Sequence, residues 1–416
     1  MRLMVYSHDA FGLGNIRRML AICEHLLQEI PELSILLLSG SPMLQGFRLP
    51  KRLDYIKLPC VNRGETGEIS AKYLGMNIED IVRLRSHLIL SAAINFQPDL
   101  FLVDKKAYGI KNELIPTVRY LHKSLPKTKL VLLLRDILDT PEKTINEWKE
   151  QGYYAAIEKY YEQLLVVGTP DVLDFRYEYK LPEKIASKVK FCGYLRRPSG
   201  YKSQETIRRE LQLQSGEKFV LVTPGGGEDG YQLVETYLRG LQVSANHQNI
   251  RSLIICGPEM PKQQKQALES LACENSQVIM GEFTEDLMSY MEAADAVVSM
   301  GGYNTICEIL SADKPAVIVP RIKPSQEQLM RCQRMENKAF FTTVHPDDLT
   351  PELLIQEVTN LLKNPKRHSQ IDLGGLDRIS NYVKNIFTSS SFVRIHQMMK
   401  SSSPTHSQSE PAIIAE

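Results

Sequence analysis

The sequence predicts an α/β protein of two consecutive parallel-sheet domains, and three observations carry that prediction. Short apolar runs alternate with segments of helical periodicity along most of the chain, the pattern of a parallel sheet covered on both faces. The alternation breaks at the turn-rich, basic stretch Gly193-Tyr194-Leu195-Arg196-Arg197-Pro198-Ser199-Gly200-Tyr201 and then restarts. At 416 residues with 43% hydrophobic content, the chain is also too long for one average core.

In the first half, Arg2 to Ser7 is the first predicted strand. Ile16 to Glu29 is the first helix, with Met19, Leu20, Cys23, Leu26 and Leu27 at helical spacing until Pro31 stops it. Between them lies His8-Asp9-Ala10-Phe11-Gly12-Leu13-Gly14-Asn15. Gly12 and Gly14 match the opening of a dinucleotide fingerprint, but no third glycine follows at the required place, which disfavours a Rossmann NAD site. Strands are predicted at 34–39, 53–58, 100–103, 129–134, 163–167 and 189–192, and helices over 77–95, 112–121 and 153–161. Gly64 to Ile69 reads as a mobile polar loop.

Ligands of open parallel sheets bind beyond the carboxyl ends of the strands, which nominates His8, Asp9, Asp104, Arg135 and Asp136. Asp104 and Asp136 are read first as caps or ion-pair partners, the common fate of acids in turns. His8 follows a strand directly and stands beside an acid. A neutral imidazole there suits accepting a proton from a hydroxyl, although a lone loop histidine is more commonly a surface residue.

In the second half, Lys202 to Gln214 reads as a linker helix. The strand 219–224 leads into Gly225-Gly226-Gly227-Glu228-Asp229-Gly230 and then an amphipathic helix, so backbone amides can approach a phosphate there. Strands at 252–256, 277–280, 296–299 and 316–320 continue the sheet. After the third of these comes Ser299-Met300-Gly301-Gly302-Tyr303-Asn304-Thr305-Ile306-Cys307-Glu308, a strand, a tight turn and a helix. The helix amides and dipole suit an anion such as pyrophosphate, Gly301 and Gly302 permit close approach, and Asn304 or Thr305 is the expected cap. Glu308, one turn further in, can accept two hydrogen bonds from a vicinal diol such as a ribose. A generic glycine turn with a solvated first-turn acid explains the same pattern equally well. Glu327 and Gln328, on the next first helical turn, either read sugar hydroxyls or merely cap that helix. Helices follow at 351–362 and 379–399, the second placed to fold back on the first domain; the tail to Glu416 lacks core-forming residues and reads as disordered.

Lys+Arg of 50 against Asp+Glu of 49 leaves a net charge of +1, which argues against a nucleic-acid partner. Seven scattered cysteines without a C-x-x-C pair read as reduced thiols of a cytosolic protein, with no metal site. The amino terminus turns polar too soon for a signal peptide, and no apolar run reaches the roughly 18 residues of a membrane span.

Two consecutive α/β domains, a glycine loop near the start of each, and the Gly301-Gly302-Tyr303-Asn304-Thr305-Ile306-Cys307-Glu308 turn resemble the GT-B glycosyltransferases, whose two Rossmann-like parallel-sheet domains face each other across a cleft. Within them the chain is most similar to the MurG-like branch, especially its uncharacterised predicted glycosyltransferases, over about residues 1 to 365. The resemblance implies an acceptor-binding domain at 1–195, a linker at 196–216, a nucleotide-sugar domain at 217–370, a terminal helix at 371–400 and a tail at 401–416. It implies that Gly301, Gly302, Asn304 and Thr305 face the diphosphate of a UDP-sugar and Glu308 its ribose. Glu327 and Gln328 would meet the donor sugar, Gly225, Gly226 and Gly227 line the cleft, and Arg321 is a candidate cation. Relatives carry a histidine where this chain has Asn15 in Gly12-Leu13-Gly14-Asn15. An amide cannot take a proton near neutral pH, so either His8 or Asp9 supplies the base or the activity is weak, altered or lost.

The implied function is an inverting transfer from a UDP-sugar to an acceptor hydroxyl, without metal or further cofactor. The acceptor is a lipid, a glycan or a small molecule. The alternatives are a nucleotide-sugar 2-epimerase and a non-catalytic nucleotide-sugar binder. The implied location is cytoplasmic with peripheral membrane contact, for which Arg48, Lys51, Arg52, Lys57, Arg83 and Arg85 are candidates; solvated surface positions are their commoner role.

Overall fold

The structure is a computed structural model, and it describes residues 1–8, 14–64, 68–243, 249–338, 341–364 and 370–401, without the side chains of Arg63 and 389–401. Asp9, Gly12 and the tail from 402 onward lie outside the described residues.

The first domain contains β1 (Arg2–Tyr6), β2 (Ser34–Ser39), β3 (Leu53–Lys57), a hairpin of β4 (Val61–Arg63) and β5 (Ile69–Ala71), β6 (Leu100–Asp104), β7 (Lys129–Arg135), β8 (Gln163–Val167) and β9 (Val189–Phe191). Its sheet runs β3-β2-β1-β6-β7-β8-β9, with every neighbouring pair parallel. The second domain contains β10 (Lys218–Thr223), β11 (Ile250–Ile255), β12 (Val278–Gly281), β13 (Ala296–Ser299), β14 (Ala316–Ile318) and β15 (Phe341–Thr343), ordered β12-β11-β10-β13-β14-β15 and also parallel. Helices cover both faces of each sheet, which is why β6 and β7 read as unbroken apolar runs.

Each strand order reverses once, between β1 and β6 in the first domain and between β10 and β13 in the second. Loops leaving such a pair diverge and open a crevice beyond the strand ends. His8 and Lys105 stand at the first reversal. Both glycine turns stand at the second, where Thr223 pairs in register with Ser299 and the Ser299 hydroxyl donates to the Thr223 carbonyl at 2.5 Å.

One apolar cluster runs from Leu3, Val5 and the helix Gly14–Glu29, through Tyr194 and Leu195, to Ile306 and Ile309 of the second domain. The terminal helix Gly375–Ser401 lies against Gly14–Glu29, where Lys384 meets Glu29 at 2.7 Å and His25 meets Asp377 at 3.3 Å. The chain crosses between domains twice at one place: Tyr194 N donates to Asp372 O at 2.8 Å and Gly375 N to Tyr194 O at 3.0 Å.

Two elements differ from the sequence reading. Ile69, the last residue of the expected mobile loop, opens strand β5, because Ile69 and Ala71 pack against Val61, Ile81 and Ile110, and residues 65–67 of that loop lie outside the described residues. Residues 141–150, which the sequence reading left unassigned, form a helix, Pro141–Glu150, with a Thr140 side-chain cap and proline in its first turn.

Arg85, a candidate for lipid headgroups, is instead fully buried. Its Nε and Nη2 donate to the two carboxylate oxygens of Glu113 at 2.6 and 2.8 Å, and the Tyr6 hydroxyl donates to the same carboxylate at 2.6 Å. Arg52 stays exposed, but its guanidinium is engaged by the chain, donating to the carbonyls of Ile30 and Leu33 at 3.1 Å. Among the described residues no helix is long and apolar enough to cross a membrane. Breaking one half of a buried pair strands the other charge, so Arg85→Ala should destabilise the first domain by about 3–5 kcal/mol. Urea unfolding followed by circular dichroism checks this; an unmoved midpoint would refute it.

Candidate functional site

A cleft of about 890 Å³ opens between the two domains, bounded by residues from both strand-order reversals. On the second-domain side, Gly302 (φ −64°, ψ 141°) precedes the helix Tyr303–Ala312. Asn304 and Thr305 therefore sit inside the first turn and do not cap it. That leaves first-turn amides without helical acceptors, with the positive end of the helix dipole behind them. Neither Gly301 nor Gly302 adopts a left-handed conformation. Gly301 is required by contact, since a Cβ there would lie 2.8 Å from Cys332 Sγ. Its carbonyl accepts from Arg331 Nη1 at 2.7 Å, and it lies behind the cleft wall, whereas Gly302, Asn304 and Thr305 line it.

The neighbouring loop does need glycine for its backbone. Gly225 and Gly227 have φ of +88° and +99°, and a Cβ on Gly227 would sit 2.2 Å from the Cys256 carbonyl. A Cβ on Gly225 would lie 3.5 Å from Thr305 Oγ1, so the two glycine turns form one continuous amide-rich surface. Ile255, Phe283 and Leu287 make an apolar end to the cleft, with Phe283 51% exposed.

Two residues of the glycine-turn motif are engaged across the domain boundary. Asn304 Nδ2 donates to Gly14 O at 2.7 Å, and Asn304 Oδ1 accepts from Arg197 Nη2 at 2.8 Å. Glu308 is buried, and it faces the first domain beneath Arg17, whose Nη2 lies 2.6 Å from Glu308 Oε1. Its second oxygen makes no hydrogen bond. Glu308 does not line the open cleft; Arg17 does.

Glu327 and Gln328 line the cleft but are already committed. Burial would raise the Glu327 pKa, yet the guanidinium groups of Arg331, Arg135 and Arg321 outweigh it and hold the carboxyl at about 2. Arg331 contacts Glu327 at 2.5 Å and Asp136 at 2.7 and 2.8 Å, so Asp136 serves as an ion-pair partner. Gln328 Oε1 accepts from Arg321 N at 3.0 Å, and Arg321 Nη1 meets Asp229 at 3.1 Å.

On the first-domain side, His8 lines the cleft and is 5% exposed, and its amide donates to Asp104 Oδ2 at 3.3 Å. Asp104 is paired with Arg18 at 2.7 Å. Asn15 donates to the His8 carbonyl at 2.5 Å and accepts from Arg18 Nη2 at 3.2 Å, so its amide holds the His8 backbone. Arg17, Arg18 and Tyr303 were absent from the sequence-derived site. A signal existed: an arginine at the end of a helix's first turn and another directly after it oppose the dipole and call for acids from elsewhere.

Residues 219–373 match the glycosyltransferase family 28 C-terminal domain. The chain is 27% identical over 169 residues to the UDP-N-acetylglucosamine–N-acetylmuramyl-(pentapeptide) pyrophosphoryl-undecaprenol N-acetylglucosamine transferase of Clostridium kluyveri, spanning 40% of this chain and 44% of that protein. It is 21% identical over 210 residues to the Lactococcus lactis protein of that name, spanning 48% and 57%. The chain has the GT-B fold, and its carboxy-terminal domain is similar to that of the family 28 glycosyltransferases. The match to these relatives spans under three fifths of their length. In fold, the chain superposes on Acinetobacter baumannii MurG with a TM-score of 0.58 at 13% identity, covering 92% of this chain and 99% of that one. It superposes on UDP-GlcNAc 2-epimerase from Neisseria meningitidis, solved with UDP-GlcNAc bound, with a TM-score of 0.59 at 13% identity, covering 94% and 100%.

One carboxyl of this cleft is pushed up toward neutrality. Burial, then the charges of Glu259 and Asp229, push Glu228 up to about 7 against the pull of Arg321 and Lys72. Below that pH the group is neutral; above it, it repels an anion on the glycine loop. UDP, used as a phosphate-bearing probe, should therefore bind less tightly at pH 8 than at pH 6, and Glu228→Gln should flatten the difference. Calorimetry at both pH values checks this, and an identical pH dependence in the variant counts against it.

Proposed function

We propose that this chain transfers a hexose or N-acetylhexosamine from a UDP-sugar to an acceptor hydroxyl, with inversion and without a metal ion. The observation that carries the reading is the meeting of two glycine turns and a helix amino terminus at one strand-order reversal, facing His8 across the cleft. The diphosphate rests on amides of Gly225 to Gly227 and Tyr303 to Thr305, and the uracil lies against Phe283. Glu308 takes the ribose diol once Arg17 withdraws.

The acceptor, held by the first domain, presents its hydroxyl to the anomeric carbon opposite the diphosphate. Its oxygen forms the new glycosidic bond as the bond to the diphosphate oxygen breaks, UDP departs with that electron pair, and His8 takes the hydroxyl proton. Negative charge developing on the diphosphate is met by preorganised amides, which act most strongly where water is excluded. With both ends of its amide used by His8 and Arg18, Asn15 orients the base and is not one. A lipid-linked acceptor, with its tail left in a membrane surface, is supported by exposed Tyr73, Leu74 and Met76, which follow β5 and the cleft-lining Ile69.

A panel of UDP-sugars with UDP release as the readout tests the reading. Glu308→Ala should lower release about tenfold or more, through lost charged hydrogen bonds, and His8→Ala by about 10²-fold or more. Release equal to wild type in Glu308→Ala would remove that residue from the site. The 2-epimerase reading draws on the fold shared with the Neisseria enzyme. A donor sugar inverted at C2 in the absence of any acceptor would favour it over transfer.

A further inference from the structure

We propose that Arg135 is the cation that grips the donor diphosphate from the first domain, opposite the glycine turns. This inference rests on the nucleotide-sugar reading above and adds to it a residue of the opposing domain.

Arg135 is the last residue of β7, so it emerges at the carboxyl edge of the sheet and lines the cleft. Its side chain is 15% exposed. Among the described residues its ionic partner is Glu327, at 3.6 Å, too far for a hydrogen bond, and its Nε is buried without one. Glu327 is itself held by Arg331 at 2.5 Å. The other cleft arginines are better matched: Arg17 to Glu308 at 2.6 Å, Arg18 to Asp104 at 2.7 Å, and Arg321 to Asp229 at 3.1 Å. Arg321, the sequence candidate for a cation on the diphosphate, already has a carboxylate.

A guanidinium in this position carries only partly compensated charge. Burial depresses the Arg135 pKa, and Arg18 and Arg331 reinforce that push against the attraction of Glu327 and Asp136. Partly desolvated and incompletely paired charge is costly, and an arriving anion relieves the cost. The planar fork of arginine matches two non-bridging phosphate oxygens, a geometry that lysine cannot copy.

Arg135 also stands at the right depth. Its partner Glu327 precedes Gln328, whose Nε2 lies 4.0 Å from a Cβ built on Gly302, and Arg331 ties Glu327 to the Gly301 carbonyl. A diphosphate on the helix amino terminus therefore lies between second-domain amides and a first-domain guanidinium, and its binding draws the two domains together.

The test separates phosphate recognition from nucleoside recognition. Calorimetry with UDP and with uridine is run on wild type, Arg135→Gln and Arg135→Lys, with circular dichroism melts as a folding check. Arg135→Gln should weaken UDP about tenfold or more and leave uridine within about twofold, as expected for losing a charged hydrogen bond to phosphate alone; Arg135→Lys should fall between. Unchanged UDP affinity in Arg135→Gln, or a parallel loss of uridine, overturns the proposal. A wild type that binds neither ligand removes the nucleotide-sugar reading itself, and this inference with it.

Discussion

The arrangement depends on one buried cation. Arg331, inaccessible to solvent, is neutralised by Asp136 of the first domain and Glu327 of the second, while it also donates to the Gly301 carbonyl. Its guanidinium lies 5.7 Å from the centre of the Tyr303 ring, which stacks on Tyr194 at 5.8 Å; the Tyr194 hydroxyl returns to Asp136 at 2.9 Å. A charge so placed cannot lose one carboxylate without several kcal/mol of desolvation penalty. The relative position of the two domains and the seat of the glycine turn are thus set by the same group.

This junction explains why much of the glycine-turn motif is engaged without a ligand. Asn304 holds Gly14 and Arg197, and Glu308 holds Arg17. Asn304 reaches Gly14 through its backbone carbonyl and the other contacts join side chains; a nucleotide bound as proposed would address Asn304 and Glu308 too, so its binding would exchange one set of hydrogen bonds for another. The net affinity is then a difference between two well-satisfied states, smaller than the contacts alone would suggest.

The strands and the two glycine turns were legible in the sequence because their signals are local. A parallel strand buried on both faces is a continuous apolar run, and a strand-to-helix turn that needs close approach is glycine. The hairpin at β4 and β5 was not, since each strand has three residues and its packing partner Ile110 lies far along the chain. The commitments of the site residues were hidden for the same reason. Arg17 and Glu308 are 291 positions apart, and Arg331 and Asp136 are 195 apart. No window of sequence holds both members, so Glu308 read as an open acid and Glu327 as a sugar contact. Arg85 likewise read as a surface base because its partner Glu113 lies on a different element.

The double crossing near Tyr194 has a mechanical consequence. Because the outgoing strand-end at Leu195 pairs with the returning chain at Gly374, both covalent ties between the lobes pass through one spot at the back of the molecule. Two bodies tethered at a single locus swing about it like jaws on a pin: atoms near the pin barely shift, and those at the far lip travel furthest. The Tyr303 turn, stacked on Tyr194 beside that pin, would barely shift in any such swing, and the open lip of the cleft would sweep the longest arc.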